Sequence, residues 1–287
     1  MKVCPACDAR FAAGDWSCAA CGWRAAREGA IQLIEPGTGA DGFSAEFFDR
    51  LIRVEERHFW FRARNELIAW AVTRYFPEAR TFLDAGAGTG QVTRAMGRLL
   101  PQVRMTACEV FTAGLAWAGQ QGTRAELVCA DVRRLPWEDE FDVVGAFDVL
   151  EHVVEDVEAM RQLARAARPG GGVIVTVPQH QWLWSPIDDY SGHQRRYSRR
   201  LLVERLATAG LQVVHVTSFM TLLLPVLMAS RFARRDQPAD PEAETRISPL
   251  TNTVGGALTA VERGLLRTGA SLPAGGSLLV VARTSRR

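Results

Sequence analysis

Leu83-Asp84-Ala85-Gly86-Ala87-Gly88-Thr89-Gly90 decides the fold of this 287-residue chain. Thr81 to Asp84 reads as a short strand, the three glycines as a sharp turn, and the segment to about Leu100 as a helix. Glycine lets a backbone turn tightly and lets a ligand approach it with no Cβ in the way. Working outward, strands are expected at Val103–Glu109, Glu126–Cys129, Phe141–Phe147, Val173–Val177 (after a turn at Pro169-Gly170-Gly171-Gly172), Leu211–Val216 and Ser277–Ala282. Helices fall between them, from Thr112, over Asp156–Ala167 and over about Ser198–Ala209. Such alternation predicts an α/β domain whose parallel sheet is covered by helices on both faces. Upstream, residues 43–76 have apolar residues at helical spacing as far as Pro77 and read as one or two helices. Their aromatic cluster, His58-Phe59-Trp60-Phe61, either packs on the main domain or forms a lid, with Trp60 over a ligand and Arg64 near its carboxylate.

What the glycine turn lacks narrows the ligand. Dinucleotide enzymes cradle pyrophosphate with Gly-x-Gly-x-x-Gly, whereas Gly86, Gly88 and Gly90 are evenly spaced here and Gln91 follows. There is no Gly-Lys-Ser/Thr word, which argues against a nucleoside triphosphatase. Asp84, just before the glycines, adds a negative charge that is unhelpful for phosphate and suited to a cationic ligand bearing an amino group. S-adenosylmethionine, with a sulfonium and an ammonium, fits that description. Glu109 ends the next strand, where an acid can hold a ribose diol. Asp131 with Val132 ends the third strand, where a carboxylate can accept the adenine amine, and Asp148 follows the fourth strand into the crevice beyond the sheet.

Residues 81–178 resemble the class I S-adenosylmethionine-dependent methyltransferases, especially the branch that includes the ubiquinone-biosynthesis O-methyltransferases. The words that carry the resemblance are the glycine turn, Asp148-Val149-Leu150-Glu151-His152-Val153 and Arg168-Pro169-Gly170-Gly171. It implies a Rossmann-like sheet of seven strands, one of them antiparallel, and S-adenosylmethionine bound by Gly86, Gly88, Gly90, Glu109 and Asp131. In the ubiquinone-type enzymes an acid, then Glu-His, can hold a divalent metal beside the acceptor oxygens. The matching positions are Asp148, Glu151 and His152, a candidate Mg²⁺ site in which Asp replaces a longer Glu. Glu151 and His152 equally suit a plain role, capping and orienting the next helix.

Methyl transfer from a sulfonium is an in-line displacement that needs alignment and removal of the acceptor's proton. His152, near the end of the fourth strand, is the first candidate base. The second is His193, in the stretch from Pro178 to Tyr197, which carries Trp182, Trp184, Asp188, Asp189, Arg195 and Arg196. A loop that rich in aromatic and charged residues is costly unless function or a tight local network orders it. Arg195 or Arg196 suits an anionic group on the acceptor. The stretch also resembles bacterial methyltransferases of glycan, lipid and secondary-metabolite pathways.

Two further segments flank the domain. Cys4-Pro5-Ala6-Cys7 and Cys18-Ala19-Ala20-Cys21 are separated by ten residues, and four thiolates so paired can converge on one structural Zn²⁺. A closed four-cysteine shell leaves no position for water, so the role is structural, and a segment this small needs the metal to fold. The knob's partner is open between the main domain, another protein and RNA. Pro36–Gly42 then reads as a linker. About sixty residues separate the last two strands. Their apolar run, Phe219 to Ser230, followed by Arg231, Arg234 and Arg235, is either a cap on an apolar acceptor pocket or a peripheral membrane contact through residues 219–235. Asp236–Glu244 reads as a mobile loop. The expected division is a zinc ribbon over 1–35, a helical lid over 43–80, a cofactor core over 81–217, a cap over 218–276 and the last strand and tail over 277–287.

Composition bounds the function. At 47% hydrophobic, 23% charged and net charge +2, the chain is an ordinary globular protein and no polycation. No charged-then-apolar leader opens the sequence, and the longest apolar run is too short to span a bilayer and contains Pro225, so the expectation is a cytoplasmic protein. A small-molecule O- or N-methyltransferase is the first reading. An rRNA or tRNA base methyltransferase using the knob on RNA is an alternative, weakened by the knob's few basic residues, Lys2, Arg10, Arg24 and Arg27. A non-catalytic S-adenosylmethionine-binding scaffold is the third.

Overall fold

The computed structural model describes residues 1–12, 14–35, 48, 52, 54, 55, 57–233 and 248–284. The expected linker at 36–42, most of the helical stretch before His58 and the expected loop at Asp236–Glu244 lie outside the described residues.

The sheet grows from the strand that feeds the glycine turn. β5 (Thr81–Ala85) pairs in parallel with β6 (Arg104–Glu109) on one side and β8 (Phe141–Phe147) on the other. β7 (Glu126–Cys129) continues from β6, and β9 (Ala167–Pro178) from β8. All seven residues of β8 are buried, as expected of a central parallel strand with helices on both faces. β11 (Ser277–Thr284) inserts antiparallel between β9 and β10 (Leu211–Phe219). These seven strands run β10–β11–β9–β8–β5–β6–β7, with β11 the antiparallel one, as the resemblance implied. The expected turn at 169–172 lies inside β9, which begins at Ala167 and shifts register between Phe141 and Val143 of its neighbour. Gly172 is required there because a Cβ would come within 2.3 Å of the Phe76 ring.

Helices cover both faces: α1 (Phe59–Tyr75), α2 (Gln91–Leu99) and α3 (Thr112–Gln120), with α4 (Asp156–Ala166) and α6 (Arg199–Thr208) further along the chain. α1 begins at the His58 cap, whose Nδ1 accepts the Trp60 N–H at 3.1 Å, and stops before Pro77. Between β10 and β11 come α7 (Leu224–Ala233) and α8 (Pro249–Arg267), the expected helical insertion. α8 lies along α1 through Gly255, Thr259, Glu262 and Leu266; a Cβ on Gly255 would be 2.8 Å from the Phe59 ring.

The N-terminal knob is built into the sheet. A small ladder pairs β1 (Lys2–Val3) with β2 (Arg10–Phe11), and a hairpin of β3 (Ala26–Glu28) and β4 (Ile31–Leu33) lays β4 parallel to β7, making nine strands. Trp16 enters the main core edge-on to Trp137, with ring centroids 5.6 Å apart, and its Nε1 donates to Glu126 at 2.8 Å. Lys2 is buried with its ammonium 4.0 Å over the Trp16 ring. The knob therefore docks on its own main domain.

Candidate active site at the carboxyl edge of the sheet

Strands β5, β6, β7 and β8 all end at one edge, where loops converge as doubly wound sheets require for a ligand. Gly86, Gly88 and Gly90 each have a positive φ, between 53° and 79°. The Gly88 N–H donates to Glu109 Oε2 at 2.8 Å, while Glu109 Oε1 accepts from Val110 and Phe111 at 2.8 and 3.2 Å. Burial raises the Glu109 carboxyl above its ordinary value against the pull of these three donors. Asp84 is buried below the turn and accepts from Thr93 Oγ1 at 2.6 Å; burial pushes its carboxyl up to about 6. Asp131 caps the short 3-10 turn Val132–Arg134 and holds the Arg133 guanidinium in a fork at 2.6 to 3.0 Å. Partial burial would raise its carboxyl, but Arg133 outweighs it and the net direction is down.

Asp148, just beyond β8, is a non-glycine residue at φ 56°, the kind of strained backbone that clusters at functional sites. Its Oδ2 accepts from Arg64 Nη1 at 2.5 Å and Thr176 Oγ1 at 3.2 Å. Arg64 in turn reaches Gln91 Oε1 at 3.3 Å and stacks 4.7 Å from the Trp60 ring. Two buried residues upstream of α1 also sit over the glycine turn. Glu55 accepts from Thr89 Oγ1 at 2.6 Å, and the Phe48 ring lies 4.0 Å from where a Gly88 Cβ would be.

Beside this crevice is a second cluster. The loop after β9 closes on itself: His180 N–H donates to the Tyr197 carbonyl at 3.0 Å and Tyr197 N–H to the Pro178 carbonyl at 2.9 Å. Within it α5 (Pro186–Tyr190) buries Asp188, which accepts from His193 Nδ1 at 2.8 Å and from Arg196 Nε at 2.8 Å. Burial alone would raise the Asp188 carboxyl, yet His193 and Arg196 outweigh it and bring it to about 2. The His193 ring meets His152 edge-on at 4.7 Å. Burial, aided by the charge of His193, drops His152 to about 3 and keeps it neutral. Glu151 is fully buried, its carboxyl pushed well up by burial and by Asp148, and its Oε2 has no hydrogen-bond partner.

The grouping differs from the magnesium triad expected at Asp148, Glu151 and His152. Asp148 is committed to Arg64 and Thr176, and the ligand atoms that converge within 4.8 Å belong to Glu151, His152 and His193. Two imidazoles and one carboxylate suit a first-row transition ion better than Mg²⁺, which prefers oxygen. In the knob the four cysteines do converge, with Cys4 and Cys21 sulfurs 3.6 Å apart and Cys7 and Cys18 sulfurs 3.7 Å apart. Thiolates about 2.3 Å from a tetrahedral Zn²⁺ lie about 3.8 Å from one another, so the set is compatible with zinc.

Residues 83–175 match the family described as Methyltransferase domain. The chain carries a class I S-adenosylmethionine-dependent methyltransferase domain. Among curated proteins it is 30% identical over 152 residues to 27-O-demethylrifamycin SV methyltransferase of Amycolatopsis mediterranei, across 48% of this chain and 56% of that one. The chain spans about half the length of the curated relatives it matches. Its fold is shared with a chain of the complex between the Haloferax volcanii Trm112 methyltransferase activator and a methyltransferase, at TM-score 0.56 and 19% identity over 84% of this chain and 97% of that one. It is shared also with Haemonchus contortus phosphoethanolamine N-methyltransferase 2 in complex with S-adenosyl-L-methionine, at TM-score 0.57 and 17% identity over 86% and 58%.

In this methyltransferase domain the structure gathers the residues expected from sequence into two neighbouring groups: Asp84, the glycines, Glu109, Asp131 and Asp148 in one, His152 and His193 in the other. Sequence reasoning passed over Glu55, Thr89, Thr93 and the orienting role of Asp188. A signal existed for Asp188 alone. Ser185-x-x-Asp188 is a capping-box word, and the Ser185 N–H does donate to Asp188 Oδ2 at 2.9 Å.

Proposed function

We propose that this chain methylates an oxygen or nitrogen of a small-molecule acceptor, lipid-linked or belonging to a glycan or secondary-metabolite precursor, with His193 as base. The observation that carries this reading is the His193–Asp188 pair beside the crevice at the end of β8. When bound, S-adenosylmethionine supplies an electrophilic methyl group on a sulfonium. Asp84, Gly86, Gly88, Gly90, Glu109, Asp131 and Val132 would hold that cofactor, with Asp84 serving its ammonium, Glu109 the ribose hydroxyls and Asp131 the adenine. Asp148 and Arg64 line the methionine end. His193 would take the proton that the acceptor's oxygen or nitrogen gives up on methylation. With Nδ1–H donated to Asp188, Nε2 is the nitrogen that takes the proton. Neutral His152 packs beside it without competing for that charge.

An RNA substrate is the weaker reading. Lys2 is buried under Trp16, and Arg10 is paired with Glu138 at 2.5 Å, which thins an already sparse phosphate-binding surface.

Calorimetry on the full chain tests the cofactor: S-adenosylmethionine binds, and Glu109→Ala weakens it by tenfold or more. A flat titration of the wild-type chain removes the reading. For the base, release of S-adenosylhomocysteine is followed with a panel of phenolic, sugar and lipid-linked alcohols and amines. On the acceptor that turns over, His193→Ala lowers kcat by roughly 10² to 10⁴ with cofactor affinity unchanged. Unimpaired turnover strikes His193 from the mechanism.

A further inference from the structure

A helix on the surface of a soluble domain normally turns charged residues away from the core. The helical insertion between β10 and β11 does not. No residue of α7 is buried, and its exposed positions are Pro225, Val226, Ala229, Ser230, Phe232 and Ala233, none of them charged. Val226 is 64% exposed and Phe232 62%. On α8 the large exposed apolar residues are Leu250, Val254, Val261 and Leu265. At about 100° per residue these four fall within an arc of about 60°, roughly 120° around the helix from the face that packs on α1. They form one outward stripe.

The two helices join at Glu262. Its carboxylate accepts the N–H groups of Met220, Thr221 and Leu222 at 2.6, 2.7 and 3.1 Å, so exposed Leu222, just ahead of α7, is tied to the turn of α8 that carries Glu262. Glu262 is the single carboxylate of α7 and α8, and it is buried; Arg231, Arg263 and Arg267 are the other charges. Among the described residues the two helices thus expose no carboxylate of their own; Arg263 is paired with Glu66 at 2.8 Å, which leaves Arg231 and Arg267 as their cations. At its far end α7 meets the turn Gln181–Leu183, and Arg231 donates to Ser185 Oγ. That is the loop that holds His193, and it exposes Trp182 and Tyr190.

The geometry points to α7, α8 and the rim residues Trp182 and Tyr190 as a docking face for the headgroup–acyl boundary of an anionic lipid bilayer. Arg231 and Arg267, with no exposed carboxylate among the described residues of α7 and α8, match a negative headgroup layer. The exposed acid at the rim, Asp189, accepts from Trp184 Nε1 at 3.1 Å, and Trp and Tyr at the border of an apolar face belong where one end of the ring is wet. A second copy of this chain seated on α7 would cover the loop that leads to His193, whereas a lipid surface there presents an acceptor to it. Among the described residues no helix is long and apolar enough to cross a membrane, so the face lies on the bilayer. Delivery of a lipid-linked acceptor rests on the methyltransferase reading proposed above; docking itself does not.

Flotation of the full chain with phosphatidylcholine–phosphatidylglycerol vesicles, and with phosphatidylcholine alone, tests the proposal. The chain floats with the mixed vesicles and several-fold less with the neutral ones. Val226→Asp and Val261→Asp each weaken flotation roughly tenfold, with S-adenosylmethionine affinity and melting temperature at wild-type values. Failure of the wild-type chain to float with either vesicle overturns it, as does flotation indifferent to both substitutions. So does a dimer, seen by light scattering, that the same substitutions dissolve, because the face then belongs to a second copy. Calorimetry on the same sample separates the two readings. A chain that floats but binds no S-adenosylmethionine keeps the docking face and loses the methyltransferase, and the reverse result loses the docking face alone.

Discussion

Gly86 and Gly88 share a left-handed backbone, yet they answer to different constraints. A Cβ on Gly86 would sit 2.4 Å from Val149 Cγ2, inside the protein's own packing, whereas one on Gly88 would meet the Phe48 ring at an ordinary 4.0 Å. Gly88→Ala is therefore expected to cost the fold only the left-handed backbone penalty, about 1–2 kcal/mol, while placing a methyl group where the cofactor approaches. Gly86→Ala pays the same penalty and a core clash besides. Urea unfolding and calorimetry together check this: both variants lose S-adenosylmethionine affinity, and Gly86→Ala alone loses several kcal/mol of stability. Equal stabilities would mean that Val149 yields. Asp84 makes a pH prediction at the same scale. Its carboxyl ionises late, at about 6, because burial disfavours the charge, so it is neutral below that pH and attracts an ammonium only above it. Affinity for S-adenosylmethionine is expected to fall roughly tenfold from about pH 7 to about pH 5, with Asp84→Asn weaker at neutral pH and nearly level across the range. A level wild-type profile would place the ammonium elsewhere.

The loop between β9 and α6 behaves as an element although most of it has no regular structure. Asp188 is its hub, bridging His193 and the buried Arg196, and Asp188→Asn leaves that guanidinium buried without its counter-charge. Removing one partner of such a pair costs about 3–5 kcal/mol. Replacing both, as Asp188→Asn with Arg196→Met, is expected to recover part of the loss in urea unfolding; full additivity of the two would show that they do not interact. The elements divide by how local their causes are. β5, β6, β7 and β8 were legible because each is a short apolar run that ends at an acid or a turn, and their ends gave Asp84, Glu109, Asp131 and Asp148 directly. Contacts such as Glu55 with Thr89, or Arg64 with Asp148, join residues 34 and 84 positions apart, and no periodicity encodes them. The packing of α8 along α1 through Gly255 is equally non-local: the adjacent Gly255 and Gly256 in a helix signal close approach to something without saying what. β4 escaped notice because Ile31-Gln32-Leu33 is too brief to read as a strand, and only the exposed edge of β7 makes it one.

At the scale of the molecule, that edge joins the four-cysteine knob to the crevice side of the sheet. Without β4, the outer edge of β7 would present unpaired N–H and C=O groups. With it, the N–H groups of Ile34 and Glu35 both donate to the Cys129 carbonyl, at 2.9 and 3.1 Å, two residues before Asp131. Glu35 also pairs with Arg134 at 2.8 Å, on the far side of the turn that Asp131 caps. A knob this small cannot hold β3 and β4 in place by apolar burial alone, although Trp16 helps to anchor it. Zinc bound by Cys4, Cys7, Cys18 and Cys21 would supply the remainder. The full chain is expected to carry about one zinc, and chelation or Cys18→Ser is expected to expose the amides of Ile31–Leu33 and Leu127–Cys129 to hydrogen exchange, with a several-fold loss of S-adenosylmethionine affinity as Asp131 loosens. Linkage requires the converse by the same factor: the cofactor must slow zinc loss to a chelator through tighter metal binding. Metal release that ignores S-adenosylmethionine, from a chain that binds it normally, would leave the knob a passive edge cover with no hold on the crevice.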